Sequence, residues 1–372
     1  MNQNRINIIS FDIPYPADYG GIIDIYFKIK TLYEADYEII LHCFQYVRPI
    51  APILNDYCKK VIYYKRKKGI QYILSHRPYI VVTRENKKLL HNLKKNDYPI
   101  LFEGLHTCSF ISHPDLQNRR KIIRMHNVEH QYYHELAEAT SHPAKKLFYK
   151  LESKKLIKFE QIISHAFCIL AISGNDCKYF SGRHANVLEI PAFHPLKEVV
   201  SKIGKGDYFL YHGNLAVEEN EKAVLFLIEK VFSKIDSKLI ITGKSPSSKV
   251  KQTIKQHNNV ELIPNPEDKA ISVLIANAHC CVLPTFQKTG LKLKLLISLF
   301  KSRHVIVNKE MVENTGLESL CIIAQNGDDF IQKIEEIKNI DFSGDDIKNR
   351  KEVLKKFSNK NNVKRLIESF TT

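Results

Sequence analysis

Short apolar runs rich in β-branched residues alternate with helical stretches along almost the whole chain. We predict strands in the first half at residues 5–11, 37–44, 60–64, 79–83, 99–103, 121–125, 167–173 and 187–190. A second series is predicted at residues 208–212, 238–242, 260–263, 280–283, 304–307 and 321–324. Strands that alternate with helices form parallel sheets covered by helices on both faces. The pattern therefore predicts an α/β chain with two doubly wound parallel sheets.

The stretch between the two series, residues 191–206, contains two prolines and two glycines and lacks strong periodicity. Such composition is typical of a linker between domains. We predict one domain over residues 1–195 and a second over residues 196–372, which suits a chain of 372 residues. The charged tail from residue 345 is predicted to be helical and to pack back on the first domain.

The chain is strongly basic, with a net charge of +16 at pH 7. Most of the excess lies in the N-terminal half, where lysines cluster, and it suits an anionic partner such as a phospholipid, a nucleic acid or a phosphorylated substrate. No helix-turn-helix, aromatic RNA-binding strand or zinc-knuckle pattern accompanies the charge. We therefore expect an anionic membrane surface as a partner and no nucleic acid.

The sequence also bears on the compartment. No cationic segment followed by an apolar core opens the chain, and no window resembles a membrane span. The eight cysteines form no Cys-x-x-Cys motif and mostly lie in apolar runs. We expect a cytoplasmic protein, peripheral at the inner face of the membrane.

Ligands of open parallel sheets bind beyond the carboxyl ends of the strands, so two such domains that face each other would form a central cleft. Three strand ends run into glycine: Gly20 and Gly21 before the first helix, Gly213 with Asn214, and Gly243 with Lys244. Glycine lets backbone N–H groups approach a phosphate or a sugar closely. Neither a Gly-x-Gly-x-x-Gly fingerprint nor a P-loop is present.

Residues 284–296 are the most informative stretch. A strand runs into Thr289 and Gly290, and the following apolar helix carries Lys292 and Lys294 in its first turn. Cations at a helix N-terminus oppose the helix dipole, so this placement is unfavourable unless an anion binds there. A diphosphate would satisfy both the dipole and the lysines.

Taken together, these pieces resemble the retaining glycosyltransferases of the GT-B fold that build cell-surface polysaccharides. The resemblance spans most of the chain and rests on the Gly20-Gly21 loop, the sequence around His126, residues 211–220, the Gly243-Lys244 pair and the Gly-x-Lys-x-Lys-Leu-Leu block at residues 290–296. It implies two Rossmann-like domains, of which the first holds the acceptor and the second holds the nucleotide sugar. It also implies a hexosyltransferase that needs no cofactor besides the nucleotide-sugar co-substrate and no metal, and that acts on a glycan or lipid-linked acceptor.

The resemblance further implies roles for individual residues, and His126 would position or stabilise the transferred sugar. The proposed catalytic residues are His126, Lys292 and Lys294. The proposed donor-binding residues are Gly20, Gly21, Gly213, Asn214, Gly243, Lys244, Thr289 and Gly290. The proposed acceptor-binding residues are Glu103, His106 and Asn127.

Two acidic residues of the family pattern are missing. Ile297 stands where the family has a glutamate that binds the nucleotide ribose, and Thr289 stands where the paired upstream glutamate would be. Two interpretations stay open: the nucleotide is held differently, or the chain is a binding protein of this fold without catalytic activity.

A different class of function uses some of the same residues. His126, Glu129 and His130 match the His-x-x-Glu-His pattern of one class of zinc peptidase. That chemistry needs both histidines on one helical face, whereas the apolar run before His126 predicts a strand that ends there. Stoichiometric zinc in the purified protein would favour the peptidase.

Overall fold

The computed structural model describes residues 4–286 and 293–371. The chain divides into two compact units. Unit 1 comprises Met1–Pro195 and Lys356–Thr372, and unit 2 comprises Leu196–Lys355. Within the described residues no helix is long and apolar enough to cross a membrane.

Unit 1 is built on a parallel sheet, which has seven strands within the described residues. The strands are β1 (Arg5–Ser10), β2 (Glu38–Gln45), β3 (Lys60–Lys65), β4 (Ile100–Glu103), β5 (Lys121–Met125), β6 (Cys168–Ala171) and β7 (Val187–Glu189). Their order across the sheet is β3-β2-β1-β4-β5-β6-β7. Ile8 and Ile9 enter different apolar clusters, because successive side chains point to opposite faces and helices cover both. This double burial explains why the strands read as continuous apolar runs.

Unit 2 repeats the architecture with a sheet of six described strands, ordered β10-β9-β8-β11-β12-β13. The strands are β8 (Phe209–His212), β9 (Leu239–Gly243), β10 (Val260–Pro264), β11 (Cys280–Leu283), β12 (His304–Val307) and β13 (Ile322–Ile323). All of their pairings are parallel. The predicted α/β class with two doubly wound parallel sheets is confirmed.

Helices connect the strands in both units. Unit 1 contains α1 (Gly20–Glu34), α2 (Tyr79–Val82), α3 (Lys87–Leu93), α4 (Glu129–Ala139), α5 (Pro143–Phe159), α6 (Gly174–Ser181) and α14 (Asn359–Thr371). Unit 2 contains α7 (Glu218–Lys230), α8 (Ser248–Ile254), α9 (Asp268–Asn277), α10 (Leu293–Lys301), α11 (Lys309–Val312), α12 (Gly327–Ile337) and α13 (Gly344–Leu354).

One predicted strand is wrong, because residues 79–83 form the single-turn helix α2 and the residue that follows it. Burial explains the error, since Ile80, Val81 and Val82 are all buried and a short buried apolar run has no periodicity that distinguishes a helix from a strand. A buried carboxylate satisfies the start of the turn: the Tyr79 backbone N–H donates to Glu152 Oε2 at 2.6 Å.

The chain returns to unit 1 through α14. Val363, Leu366 and Phe370 are buried in the same apolar cluster as Ile25 and Ile29 of α1. Lys356 and Glu189 form an ion pair of 2.9 Å within unit 1.

Candidate functional site

A buried cluster of charged side chains lies at the carboxyl edge of the unit 1 sheet. Glu103 closes β4, His126 follows β5, and Asp24 and Lys28 face them from successive turns of α1. The Lys28 ammonium donates to Glu103 Oε1 at 2.7 Å and to Asp24 Oδ2 at 2.9 Å. Arg124 Nη2 donates to Asp24 Oδ1 at 3.0 Å. The carboxylates of Asp24 and Glu103 are therefore neutralised by the cations of Lys28 and Arg124 in an interior from which solvent is excluded.

The pKa values of both acids reflect this pairing. Burial alone would raise the pKa of Asp24, but Arg124 and Lys28 together lower it. Burial opposes ionisation of Glu103 in the same way, and Lys28 and the hydrogen bond from His126 lower its pKa. Both carboxyl groups are therefore ionised at neutral pH, as their full burial against cations requires.

This cluster holds the ring of His126 in place. His126 Nε2 lies 2.9 Å from Glu103 Oε2, whereas the buried Nδ1 atom has no hydrogen-bond partner. Nδ1 faces the start of α1, since it would lie 3.8 Å from a Cβ atom at Gly21. That Cβ atom would also lie 2.9 Å from the ring of Phe11. Glycine at this position therefore leaves room beside the histidine.

A second polar group adjoins the first. His106 follows β4, and its Nδ1 lies 3.8 Å from Oε1 of Glu129, the first residue of α4. Burial lowers the pKa of His106 well below its usual value, with Arg84 contributing. Burial raises the pKa of Glu129 to about 8. The ring of Phe11 contacts both His106 and His126, with centroid distances of 5.1 and 5.5 Å.

In unit 2 the loops that follow β8 and β9 touch at two glycines. A Cβ atom at Gly243 would lie 1.8 Å from the Gly213 carbonyl oxygen, so no larger residue fits there. The Leu215 backbone N–H donates to the Lys244 carbonyl at 2.9 Å. The predicted donor-binding residues Gly213, Asn214, Gly243 and Lys244 therefore lie together at one edge of the sheet.

The ammonium of Lys294 reaches the same edge from α10. It donates to Asn220 Oδ1 at 2.7 Å and to the Tyr211 hydroxyl at 3.1 Å. Asn220 also donates to the Asn214 carbonyl at 2.8 Å, and a Cβ atom at Gly213 would lie 3.4 Å from its side chain. The structure thus brings a cation against the glycine loop of β8.

Other predicted site residues lie elsewhere or outside the described part. Thr289, Gly290 and Lys292 lie outside the described residues. Asn127 lies between β5 and α4 and is half-buried. Gly20 opens α1, where a Cβ atom would meet open space. Ile297, at the position of the missing glutamate, lies in α10 one turn after Lys294.

The structure corrects the role expected for Glu103. Its side chain is fully buried, and both of its carboxylate oxygens accept hydrogen bonds from Lys28. Its carboxylate contacts Lys28 and His126 and is not exposed to an acceptor, so we infer that this side chain holds His126 in place. The strand-end position was informative, but the burial could not be read from the sequence.

The zinc peptidase interpretation is also wrong in its geometry. His126 follows a strand, α4 begins only at Glu129, and His130 Nε2 pairs with the Tyr179 hydroxyl at 2.7 Å. The candidate metal group found among the described residues is instead Asp24, Glu103 and His126, whose donor atoms lie within 4.8 Å of one another. Lys28 and Arg124 already donate to those carboxylates, so a cation there would have to displace them.

Several residues of these sites were not among the predicted catalytic, donor-binding or acceptor-binding residues. In unit 2 they are Tyr211 and Asn220. In unit 1 they are Asp24, Lys28, Arg84, Arg124 and Glu129, of which Glu129 was predicted only as part of the zinc peptidase pattern. Asp24 and Lys28 carry one signal, since they are charges four residues apart within the apolar sequence of α1.

Comparisons with known proteins bear on the fold of the chain. No family model matches the chain. An uncharacterized 44.6 kDa protein in the cps region of Klebsiella pneumoniae is 26% identical over 331 residues, which are 84% of each chain.

Solved structures match over nearly the full length. The sucrose-phosphate synthase of Thermosynechococcus elongatus superposes with a TM-score of 0.71 at 13% identity, over 98% of this chain and 97% of that one. TarM of S. aureus gives a TM-score of 0.71 at 11% identity over 99% of both chains. Anabaena HepE, solved with UDP and glucose, gives 0.65 at 10% identity over 99% of both chains. The chain has the fold of the GT-B glycosyltransferases, as the resemblance implied.

Proposed function

We propose that the chain is a glycosyltransferase that moves a sugar from a nucleotide diphosphate donor to a hydroxyl of a glycan or lipid-linked acceptor. The observation that carries this proposal is the cation of Lys294 beside the glycine loop of β8, in a chain with the GT-B fold. The similarity to a protein of a cps region supports a role in cell-surface polysaccharide synthesis.

The reaction exchanges one bond for another at the anomeric carbon. The bond to the diphosphate oxygen breaks, and its electron pair leaves with the nucleoside diphosphate. The acceptor oxygen bonds to the same carbon, and its proton is released to solvent. Positive charge develops on the sugar and negative charge on the diphosphate in the transition state, so cations near the diphosphate accelerate transfer.

The two units take different parts in this proposal. In unit 2, Lys294 and Lys244 and the backbone around Gly213 hold the diphosphate. Thr289, Gly290 and Lys292, which lie outside the described residues, are proposed to complete the site. In unit 1, the proposed role of His126 is to position the transferred sugar, and Gly20 and Gly21 contribute backbone N–H groups. His106 and Asn127 are the acceptor contacts.

We further propose that transfer needs no divalent ion, because lysines and backbone donors balance the diphosphate charge. The carboxylates nearest to metal-ligand geometry, Asp24 and Glu103, are already paired with Lys28 and Arg124, which supports this assignment. Turnover in EDTA should equal turnover in Mg²⁺, and a loss of more than tenfold in EDTA would contradict it.

The protein is proposed to work in the cytoplasm, peripheral at the inner face of the membrane. The charge of +16 supports an anionic membrane surface rather than nucleic acid.

A thermal-shift screen with nucleoside diphosphates and nucleotide sugars tests the donor site, because a ligand that binds only the folded state raises its melting temperature. Lys294→Met keeps the aliphatic stem and removes the charge, and Lys88→Ala removes an exposed lysine of α3 as a control. We expect Lys294→Met to weaken binding about 10- to 100-fold, the usual worth of a hydrogen bond to a charged group. Equal effects of the two substitutions would contradict the site.

A turnover assay with the nucleotide sugars that bind separates a transferase from a binding protein. Consumption of the nucleotide sugar that depends on a glycan acceptor supports transfer. Nucleotide binding with no turnover on any acceptor would favour a non-catalytic protein of this fold, as the missing acids at positions 289 and 297 allow.

A further inference from the structure

Neighbouring parts of unit 1 expose large apolar side chains among lysines and arginines. They are residues 46–50 after β2, residues 66–74 after β3 and the outer face of α5. Val47, Ile70 and Leu74 expose 78%, 73% and 81% of their surface. Scattered apolar residues are normal on a protein surface, but a contiguous group marks an interaction site. We call this group the basic apolar surface and define it by Val47, Ile50, Ile70, Leu74, Leu147 and Leu151.

Direct contacts join its parts. The guanidinium of Arg66 lies over the rings of Tyr46 and Tyr79, at 4.6 and 5.5 Å from their centroids. The ammonium of Lys155 on α5 donates to the Ile73 carbonyl at 2.7 Å. The two loops and the helix therefore form one continuous region.

Positive charge runs through the same region. Residues 65–68, which read Lys-Arg-Lys-Lys, flank the exposed side chains, and neither loop contains an acidic residue. Arg48 of the first loop is paired with Asp12 and Asp18, so the positive charge of the surface comes from the second loop and from α5. On α5, Leu147 and Leu151 share a face with Lys154, because residues three or four apart lie above one another on a helix. All three of these α5 side chains are exposed.

We propose that the basic apolar surface docks the protein on an anionic lipid bilayer. Its aliphatic side chains enter the boundary between headgroups and acyl chains, and its lysines and arginines contact lipid phosphates. Stable peripheral binding needs both contributions, and this surface carries both. A nucleic acid would use the cations but would leave Val47, Ile70 and Leu74 in water. The binding itself is independent of the proposed function, and only its purpose, access to a lipid-linked acceptor, rests on that function.

The position of the surface fits such an acceptor. Arg48 Nη1 donates to the Pro16 carbonyl at 2.5 Å, and the Arg48 guanidinium lies 5.1 Å from the centroid of the Tyr19 ring. The loop after β2 thus contacts the loop that leads to Gly20 and Gly21. The strands β3, β2, β1, β4 and β5 are parallel neighbours, so the loops after β2 and β3 lie at the same carboxyl edge of the sheet as His126, which follows β5.

Co-sedimentation of the full chain with vesicles tests the apolar contribution. We expect binding to vesicles of phosphatidylglycerol and phosphatidylcholine that weakens with salt, and little binding to phosphatidylcholine alone. The variant Ile70→Ser with Leu74→Ser should bind at least about tenfold more weakly, since each buried CH₂ contributes about 0.8 kcal/mol. The matched control is Val273→Ser with Ile340→Ser, two exposed apolar residues of unit 2, and should bind within about twofold of the native chain.

Charge reversal tests the cationic contribution. Lys67→Glu with Lys68→Glu should weaken binding at least about 25-fold, because each lysine near an anionic surface is worth about 1 kcal/mol, or about fivefold. Lys251→Glu with Lys269→Glu, on exposed helices of unit 2, lowers the net charge by the same amount as the first pair and should have little effect on binding. Equal losses in the two pairs, or tighter binding to random duplex DNA than to the anionic vesicles, would overturn the proposal.

Nucleotide thermal shifts separate this proposal from the function. A docking variant that keeps its shift with nucleoside diphosphates is folded and has an intact donor site, so its loss of vesicle binding belongs to the surface. Vesicle binding by a native chain that binds no nucleotide would support the surface and contradict the glycosyltransferase.

Discussion

At the scale of single residues, the arrangement around His126 is costly and specific. Burying charges loses their hydration, and an ion pair in the interior often stabilises a fold no better than apolar residues would. The chain nevertheless buries Lys28 between Asp24 and Glu103 and points one Glu103 oxygen at His126. The observed consequence is a histidine whose ring is fixed at Nε2 and whose Nδ1 is directed at the start of α1.

A double-mutant cycle measures this coupling. We expect Glu103→Gln and His126→Asn to be non-additive in kcat by about 0.5–3 kcal/mol, because residues of one hydrogen-bond network act together. His126→Asn combined with Glu229→Gln, an exposed residue of α7, should be additive within about 0.5 kcal/mol. Additivity in the first cycle would show that Glu103 does not position His126.

Glu129 gives a prediction about pH. Its folded-state pKa of about 8 lies above the ordinary value of 4.5, so the folded state holds the proton through this interval and stability falls as pH rises from about 4.5 to about 8. His106, Arg84, Asp176 and Glu160 act on the same carboxyl group. Glu129→Gln removes the ionisable group, so its free energy of unfolding should not fall in this way. The difference in free energy of unfolding between the variant and the native chain should therefore shift in favour of the variant by on the order of 3 kcal/mol between pH 5 and pH 8.

Urea unfolding at the two pH values provides the measurement, and Glu229→Gln serves as the exposed control. A stability difference between Glu129→Gln and the native chain that stays constant with pH would contradict a protonated Glu129.

The sequence identified Glu103, His106 and His126 as strand-end residues because apolar runs end at Glu103 and just before His126, and His106 follows Glu103 in the same loop. It could not show that Asp24, Lys28 and Arg124 converge on them, since these contacts join residues up to 100 positions apart. Glu103 was predicted to contact the acceptor, but it is buried and holds His126 instead. This burial depends on how the sheet packs and could not be read from the sequence.

At the scale of elements, the strand ends define both sites. Strands with buried neighbours on both faces were predicted within one or two residues, because continuous β-branched runs have few alternatives. The exception among the predicted strands is residues 79–83, where Pro78 precedes the short buried helix α2. Thr289, Gly290 and Lys292 lie outside the described residues, so their predicted roles stay predictions.

The contact between the loops of β8 and β9 predicts the effect of a single methyl group. Gly243→Ala would place its Cβ atom against the Gly213 carbonyl, where only backbone movement relieves the overlap. We expect a loss of about 1–3 kcal/mol or more in stability and a weaker thermal shift with nucleoside diphosphates. Gly344→Ala, at a helix start where a Cβ atom meets nothing within 4 Å, should change neither. Unchanged nucleotide binding in a folded Gly243→Ala protein would place the donor elsewhere.

At the scale of the whole molecule, the second domain was predicted over residues 196–372, with its tail from residue 345 packing back on the first. In the structure Leu196–Lys355 form unit 2, and only the residues from Lys356 onward belong to unit 1. Charge and helical periodicity predicted helices after residue 345, and α13 and α14 lie there. Nothing in the periodicity of α13 and α14 distinguishes their locations, yet Leu354 is buried in unit 2 and Leu366 in unit 1. The two helices differ in the apolar surface that each one covers, and these packing partners are seen only in the tertiary structure.

Because α13 packs in unit 2 and α14 in unit 1, two similar substitutions in these helices should destabilise different units. Leu366→Ala removes a fully buried side chain from the cluster that holds α1 and β1, whereas Leu354→Ala removes a buried side chain from unit 2. Each should cost about 2–5 kcal/mol, the usual range for deleting a buried leucine. Hydrogen exchange in the full chain should therefore quicken in β1 and β2 for Leu366→Ala and in β11 and β12 for Leu354→Ala. Equal loss of protection in both sheets for either variant would mean that the two units unfold as one, and faster exchange in β11 alone for Leu366→Ala would place α14 with the wrong unit.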